Sequence, residues 1–308
     1  MSIVAVGSVA YDSIETPFGT AEDALGGSAV YFALAASLFS DVRLVGVVGD
    51  DFAESDVTML RERGVDLGGL VKADGRTFRW AGRYGFDLNT RETLATHLNV
   101  FESFRAEIPE RFRDSEAVFL GNIDPRLQLD VLAQVPAARL STCDTMNYWI
   151  ERRRPELERV LARVDVLIVN DEEARQLSGT PHLRQAAAAI RALGTEQVVI
   201  KKGEHGAVLF GPDGIFAAAG FPLETIVDPT GAGDAFAGGF VGSLAEGGAG
   251  APGGVRRAVV YGCVLGSFCV EAFGVERLRS LTRDEVEQRF DAFLELTQVG
   301  ERAARATR

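Results

Sequence analysis

The sequence predicts an α/β protein: a mostly parallel central sheet with helices on both faces, plus a small second layer of strands. Three observations carry this. Short apolar runs at Ala117–Leu120, Ala138–Cys143, Val166–Val169 and Val198–Lys201 are separated by stretches long enough for helices, the alternation of a parallel sheet covered on both sides. Residues 77–84 (TFRWAGRY) alternate apolar and polar side chains, the pattern of a sheet solvated on one face. Asp228 to Phe240 reads DPTGAGDAFAGGF, a glycine-rich turn that runs into a helix.

Taken in chain order, Ile3-Val4-Ala5-Val6-Gly7 is a short buried strand, and Asp12 follows it. Leu25-Gly26-Gly27-Ser28 then opens a helix over Val30 to Phe39, with Ser28 placed to cap it. From about Val42 to His97 the texture changes to that of an antiparallel insertion carrying Arg79, Trp80 and Arg83, which by itself reads as a solvent-edge hairpin. Asn122 and Asp124 follow one strand, and Asp144-Thr145-Met146-Asn147 ends the next, at the carboxyl ends where open α/β sheets bind ligands. Asn170 and Glu173 stand three apart after a buried strand, a spacing that suits either a capping box or a pair of ligand contacts. In the helix after the glycine-rich turn, Phe236, Phe240 and Leu244, with Ala237 and Val241, recur at helical steps. Glu246 to Gly254 is a surface connection, Thr282 to Glu285 a capping box, and Ala303 to Arg308 a fraying end.

The turn carries the chemistry. Gly231 and Gly233 lack a Cβ, so an anion can approach the backbone N–H groups of Gly231, Ala232 and Gly233. A helix start adds unpaired donors and the positive end of its dipole. Asp234 sits on that first turn, where an aspartate beside a polyphosphate is costly unless it takes a proton. This combination points to phosphoryl transfer, with the turn stabilising charge and Asp234 as general base. No GxxxxGK[ST] string occurs, which excludes the P-loop route. Mg²⁺ is then expected through phosphate oxygens, water and a carboxylate, with Glu173 the candidate.

The string DPTGAGDAFAGGF resembles the second signature of the ribokinase-like (PfkB) family of sugar and nucleoside kinases. Three more segments match that family in order: the N-terminal strand with Asp12 and the Gly26-Gly27 pair, the Asn170–Glu173 segment, and Lys201-Lys202-Gly203-Glu204-His205-Gly206. The resemblance implies one domain over residues 1–308, a ribokinase-like three-layer sandwich, with a β lid within roughly residues 12–20 and 72–98. It implies ATP-dependent phosphorylation of a hydroxyl on a sugar or sugar-like molecule, with a nucleoside acceptor or a non-catalytic binding protein as the alternatives. Asn170, Lys201, Gly203, Gly206, Gly233 and Cys263 would serve ATP, Cys263 standing where many relatives place an asparagine near adenine. Asp12, Gly26, Gly27, Ser28, Tyr31, Asn122 and Asp234 would serve the acceptor, although Tyr31 replaces an asparagine of the family pattern. Tyr31 and Trp80 then either stack on substrate or pack. Asp228 would help hold a monovalent cation such as K⁺, but Pro229 replaces a common threonine, so a plain turn aspartate stands beside that reading. A homodimer through the lid also fits the family.

Composition sets outer limits. A formal net charge of −12 argues against nucleic acid or an anionic membrane as main partner. Three cysteines and three histidines show no zinc spacing, and no uninterrupted apolar run reaches about 18 residues. A cytoplasmic protein is the expectation.

Overall fold

The computed structural model describes residues 1–247, 251 and 253–298, so most of the connection after Glu246 and the tail from Ala303 lie outside it. Among the described residues, thirteen strands form two sheets. The larger contains β1 (Ile3–Val6), β4 (Val42–Val48), β5 (Val65–Lys72), β8 (Ala117–Leu120), β9 (Leu140–Asp144), β10 (Val166–Asn170), β11 (Gln197–Lys201), β12 (Ala207–Gly211) and β13 (Gly214–Ala218). Their order is β13-β12-β11-β10-β9-β8-β1-β4-β5. Neighbours from β5 through to β11 pair in parallel, and the pairs β11–β12 and β12–β13 at one edge are antiparallel.

Alternation along the strands explains the three layers. Ile3 and Ala5 face one apolar cluster with the helices Ser28–Ala36, Ala232–Gly247 and Gly254–Cys269, whereas Val4 and Val6 face another with Leu157, Leu177 and Ile190. Strands buried on both faces read as continuous apolar runs, which is why they are legible in the sequence. The helix after the glycine-rich turn packs unusually close to its neighbours. A Cβ on Gly238 would lie 2.5 Å from the Phe32 carbonyl oxygen, and one on Gly239 would lie 2.7 Å from that of Tyr261. These glycines admit neighbouring backbones, and Phe240, fully buried between them, stabilises the contact by about 1.5–3 kcal/mol.

The second sheet has the order β3-β2-β6-β7, with β2 (Ala10–Thr16), β3 (Gly19–Gly26), β6 (Phe78–Tyr84) and β7 (Arg91–His97). It differs from the expected antiparallel insertion in two ways. Strands β2 and β6 pair in parallel, and the stretch from Val42 to Lys72 belongs to the main sheet as β4 and β5. The second sheet is assembled from two distant hairpins whose pairing local alternation does not encode. It also takes in Gly26, so the glycine pair sits where the two sheets meet.

Ser28 is not the cap of its helix. Gly27 holds that position at φ 95°, with no side-chain cap. Ser8 and Ser28 instead exchange bonds, each N–H donating to the other's Oγ at 3.1 and 3.0 Å, which ties the end of β1 to the helix start. A Cβ on Gly27 would lie 2.5 Å from the Ser8 carbonyl oxygen, so both conformation and space demand glycine there. The capping box at Thr282 and Glu285 forms as expected, with Glu285 Oε2 accepting from the Thr282 N–H at 2.9 Å.

Candidate active site

Parallel strands end together at their carboxyl edge, and here that edge is charged. Strands β9, β10 and β11 deliver Asp144, Asn170 and Lys201 in adjacent positions, with Asn170 directly opposite Lys201 in the ladder. Asp144 and Glu173 are each 7% exposed. Lys201 Nζ lies 3.8 Å from Asp144 Oδ2. A Cβ on Gly233 would come within 2.6 Å of that same Nζ, so the lysine reaches the glycine-rich turn from below. Burial opposes the charge on Lys201, but the carboxylates of Asp144, Glu173 and Asp234 outweigh it and raise its pKa.

The turn itself is shaped by close approach. Gly231 has φ 74°, and a Cβ there would lie 2.4 Å from the Tyr31 ring. Tyr31, 1% exposed, is therefore a floor beneath the turn, its ring packed against Gly231. The helix starts at Ala232, and the N–H groups of Gly233 and Asp234 find no carbonyl partner among the described residues. Asp228 is fully buried and uses both carboxylate oxygens within the protein, accepting from Thr230 N at 2.8 Å and Gly274 N at 3.0 Å. That stitches the turn to the segment behind it.

Three carboxyls around this cleft titrate far above their ordinary range. Asp234 is pushed up to about 7, first by burial and then by the Asp144 charge, against the pull of Lys201 and Arg91. Glu173 also rises to about 7, by burial and then Asp144. Asp12, 5% exposed on β2, reaches about 7 by burial and the charges of Asp228 and Asp234. A Cβ on Gly26 would lie 2.0 Å from Asp12 Oδ2, so this glycine makes room for the carboxylate. The cleft thus gathers five carboxyls, those of Asp12, Asp144, Glu173, Asp228 and Asp234, with few cations near them, an arrangement that invites a proton or a positive ligand.

Asn170 and Glu173 form the capping box that their spacing suits. Asn170 Oδ1 accepts from the Glu173 N–H at 2.7 Å, and Glu173 Oε2 accepts from the Asn170 N–H at 2.8 Å, a complete capping box. The same box pins the Glu173 carboxylate beside Asp144 and Lys201, so it is a structural device that also presents charge to the cleft.

Other candidates are occupied elsewhere. Asn122 accepts from Trp149 Nε1 at 2.9 Å and donates to Met146 Sδ at 3.1 Å. Asp124 caps the helix Pro125–Gln134 and pairs with Arg126. Cys263, 8% exposed on the helix Gly254–Cys269, is a packing residue whose thiol burial pushes up to about 12. Arg79 pairs with Asp51 at 2.7 Å and Asp23 at 3.0 Å, and Arg83 with Glu15 at 2.9 Å. The Trp80 ring lies against Gly82 and the Arg91 guanidinium, so its faces are taken by its own sheet. Gly203 and Gly206 flank the short turn after β11, both with positive φ (54° and 84°).

The sequence placed Asp144 at a ligand-binding strand end without a specific role, and gave Arg91 none. Asp144 stood visibly at a strand's carboxyl end, a usable signal, but only the neighbouring strands bring it to Lys201. Arg91 gave no signal, being one more arginine at the start of an exposed strand.

Comparison with known proteins shows the family and the fold. The family model described as pfkB family carbohydrate kinase matches residues 2–280. A cytidine kinase from Thermococcus kodakarensis is 30% identical over 252 residues, covering 80% of this chain and 90% of that protein. Among solved structures, a Burkholderia thailandensis nucleoside kinase in complex with inosine superposes with a TM-score of 0.76 at 22% identity, over 95% of this chain and 99% of that one. A ribokinase II from E. coli in complex with ATP and Mg²⁺ gives 0.78 at 19% identity, over 96% and 99%. With most of its length matched by the family and its fold shared with both structures, the chain belongs to the pfkB family of carbohydrate kinases.

Proposed function

We propose that this protein transfers the γ-phosphoryl group of ATP to a hydroxyl of a sugar or sugar-like small molecule, with Asp234 as general base. The observation that carries the reading is Asp234 itself: a carboxyl pushed up to about 7 at a helix start, beside a turn where the Gly233 and Asp234 N–H groups find no carbonyl partner among the described residues, the Ala232 N–H donates to Pro229 O at 3.3 Å, and Lys201 rests against Gly233. A base poised near working pH is efficient in proton transfer. The acceptor oxygen attacks the γ-phosphorus, its proton passes to Asp234, the bond from that phosphorus to the bridging oxygen breaks, and ADP leaves. The Gly231–Gly233 turn and Lys201 stabilise charge on the transferring oxygens. Asp12, buried with its carboxylate over Gly26, is placed to hold acceptor hydroxyls.

The donor set fits Mg²⁺. Among the described residues no three His, Cys, Asp or Glu side chains converge as a metal cage, and Mg²⁺ is usually bound by one or two carboxylates, water and substrate phosphates. Glu173 and Asp144, short of positive charge, are the residues that would hold it. When bound it supplies charge neutralisation at the phosphates. Glu173→Gln is expected to raise the Mg²⁺ concentration for half-maximal activity while leaving the melting temperature unchanged, because glutamine still completes the capping box. A lower melting temperature with an unchanged Mg²⁺ titration would reduce Glu173 to a cap. Each Asp228 oxygen accepts one backbone N–H and keeps a lone pair that a monovalent cation such as K⁺ could take.

A nucleoside acceptor is the second reading, favoured by the cytidine kinase relative. An ATP-consumption screen over sugars, polyols, sugar acids and nucleosides decides between them. Turnover with a free sugar supports the first reading, and a nucleoside hit without any sugar hit replaces it by the second.

A further inference from the structure

We propose that Arg91, on the second sheet, is the cation that closes over the transferring phosphoryl group opposite Lys201, and so acts as a catalytic residue. The inference rests on the kinase reading above and adds a residue to it. Three arginines lie on β6 and β7. Arg79 and Arg83 are neutralised by carboxylates, whereas Arg91 has no carboxylate within ion-pair distance among the described residues. Its guanidinium instead lies 5.5 Å from the centre of the Trp80 ring and within hydrogen-bond reach of the Tyr84 hydroxyl, a neutral partner that leaves the other N–H donors of its fork for a ligand.

The hairpin that carries it bridges the cleft. Tyr84 is directly opposite Arg91 in the β6–β7 ladder, and its hydroxyl accepts from Thr230 Oγ1 at 3.1 Å, on the loop leading into the glycine-rich turn. At the hairpin tip, Asn89 Oδ1 lies 2.7 Å from where a Cβ on Gly203 would stand, at the turn after β11. Arg91 therefore sits on a strand held at one side by the anion-binding turn and at the other by the turn proposed to serve the nucleotide. Its charge is felt by both Asp234 and Glu173, the proposed base and the proposed metal-side carboxylate. A γ-phosphoryl group in transfer must lie between those two. An exposed guanidinium in that position stays solvated until ligands fill the cleft, and then finds oxygen acceptors suited to its fork.

Arg91→Ala and Arg91→Lys test this. Binding is measured to ADP with Mg²⁺, and to ADP with Mg²⁺ and aluminium fluoride, and turnover is measured with the acceptor that the screen returns. Arg91→Ala is expected to lower kcat by about 10²–10³, to leave ADP affinity within a few-fold, and to abolish the tightening that aluminium fluoride produces. Arg91→Lys should recover part of the loss, since charge is kept and the fork is not. The proposal is overturned if Arg91→Ala keeps wild-type kcat, or if it raises only the acceptor KM. Asp234→Asn separates the two levels. An inactive Asp234→Asn beside a fully active Arg91→Ala sinks this inference alone, whereas an active Asp234→Asn sinks the reading of the site.

Discussion

Asp234→Asn is expected to lower kcat by about 10²–10⁴ while ATP binds within a few-fold of wild type. The amide preserves shape and position on the first turn of the helix but accepts no proton. Because burial and Asp144 hold the Asp234 pKa at about 7, wild-type activity should also climb as pH rises through neutrality, as the carboxyl loses its proton and becomes competent. The mutant should lose that limb of the pH profile. Steady-state kinetics between pH 5.5 and 8.5, with nucleotide affinity measured alongside, checks both. A mutant with more than half of wild-type kcat, or an unchanged acid limb, removes Asp234 from the role of base.

Lys201→Met should produce the second large effect, on stability. The lysine is buried among Asp144, Glu173 and Asp234, and its loss leaves those carboxyls without their main counter-charge. Breaking a buried pair in this way costs about 3–5 kcal/mol when the stranded groups remain ionised. They need not remain so. Asp12, Glu173 and Asp234 hold their protons more tightly folded than unfolded, up to about 7. The native state therefore binds extra protons between the ordinary carboxylate range and neutrality, and stability falls as pH rises through that window. Asp51 and Glu285, both held down to about 2, act with the opposite sign, but their window lies below the ordinary carboxylate range. The penalty of Lys201→Met should accordingly be large at pH 8 and much smaller at pH 5. Urea denaturation at the two pH values measures it. Equal penalties would mean that the lysine acts by packing and not by charge.

Much of this protein is written locally. The buried runs from Ile3–Val6 to Val198–Ile200 specify their strands because their apolar residues are covered on both faces of the sheet. The turn at Gly231 to Asp234, the capping boxes at Asn170 and Thr282, and the glycine pair at Gly26 and Gly27 are short-range devices that spacing alone exposes. What spacing does not expose is which distant segments meet. The second sheet pairs β2 with β6 across more than sixty intervening residues, and a misassigned start for it follows from reading alternation without partners. Ser28 looks like a cap by its neighbours in sequence and serves as half of a Ser8–Ser28 exchange by its neighbours in space. Tyr31 reads equally as a stacking platform or as core, and only the turn lying on its ring makes it a floor. The electrostatics of the cleft belong wholly to the tertiary level. A carboxyl's pKa depends on burial and on charges a few ångströms away, and Asp144, Glu173, Lys201, Asp234 and Arg91 come from five separate elements. The sequence by itself determined the kinase family and the glycine-rich turn, because both rest on contiguous residues; the fold decided which charges face one another, because that is set by packing between elements far apart in the chain.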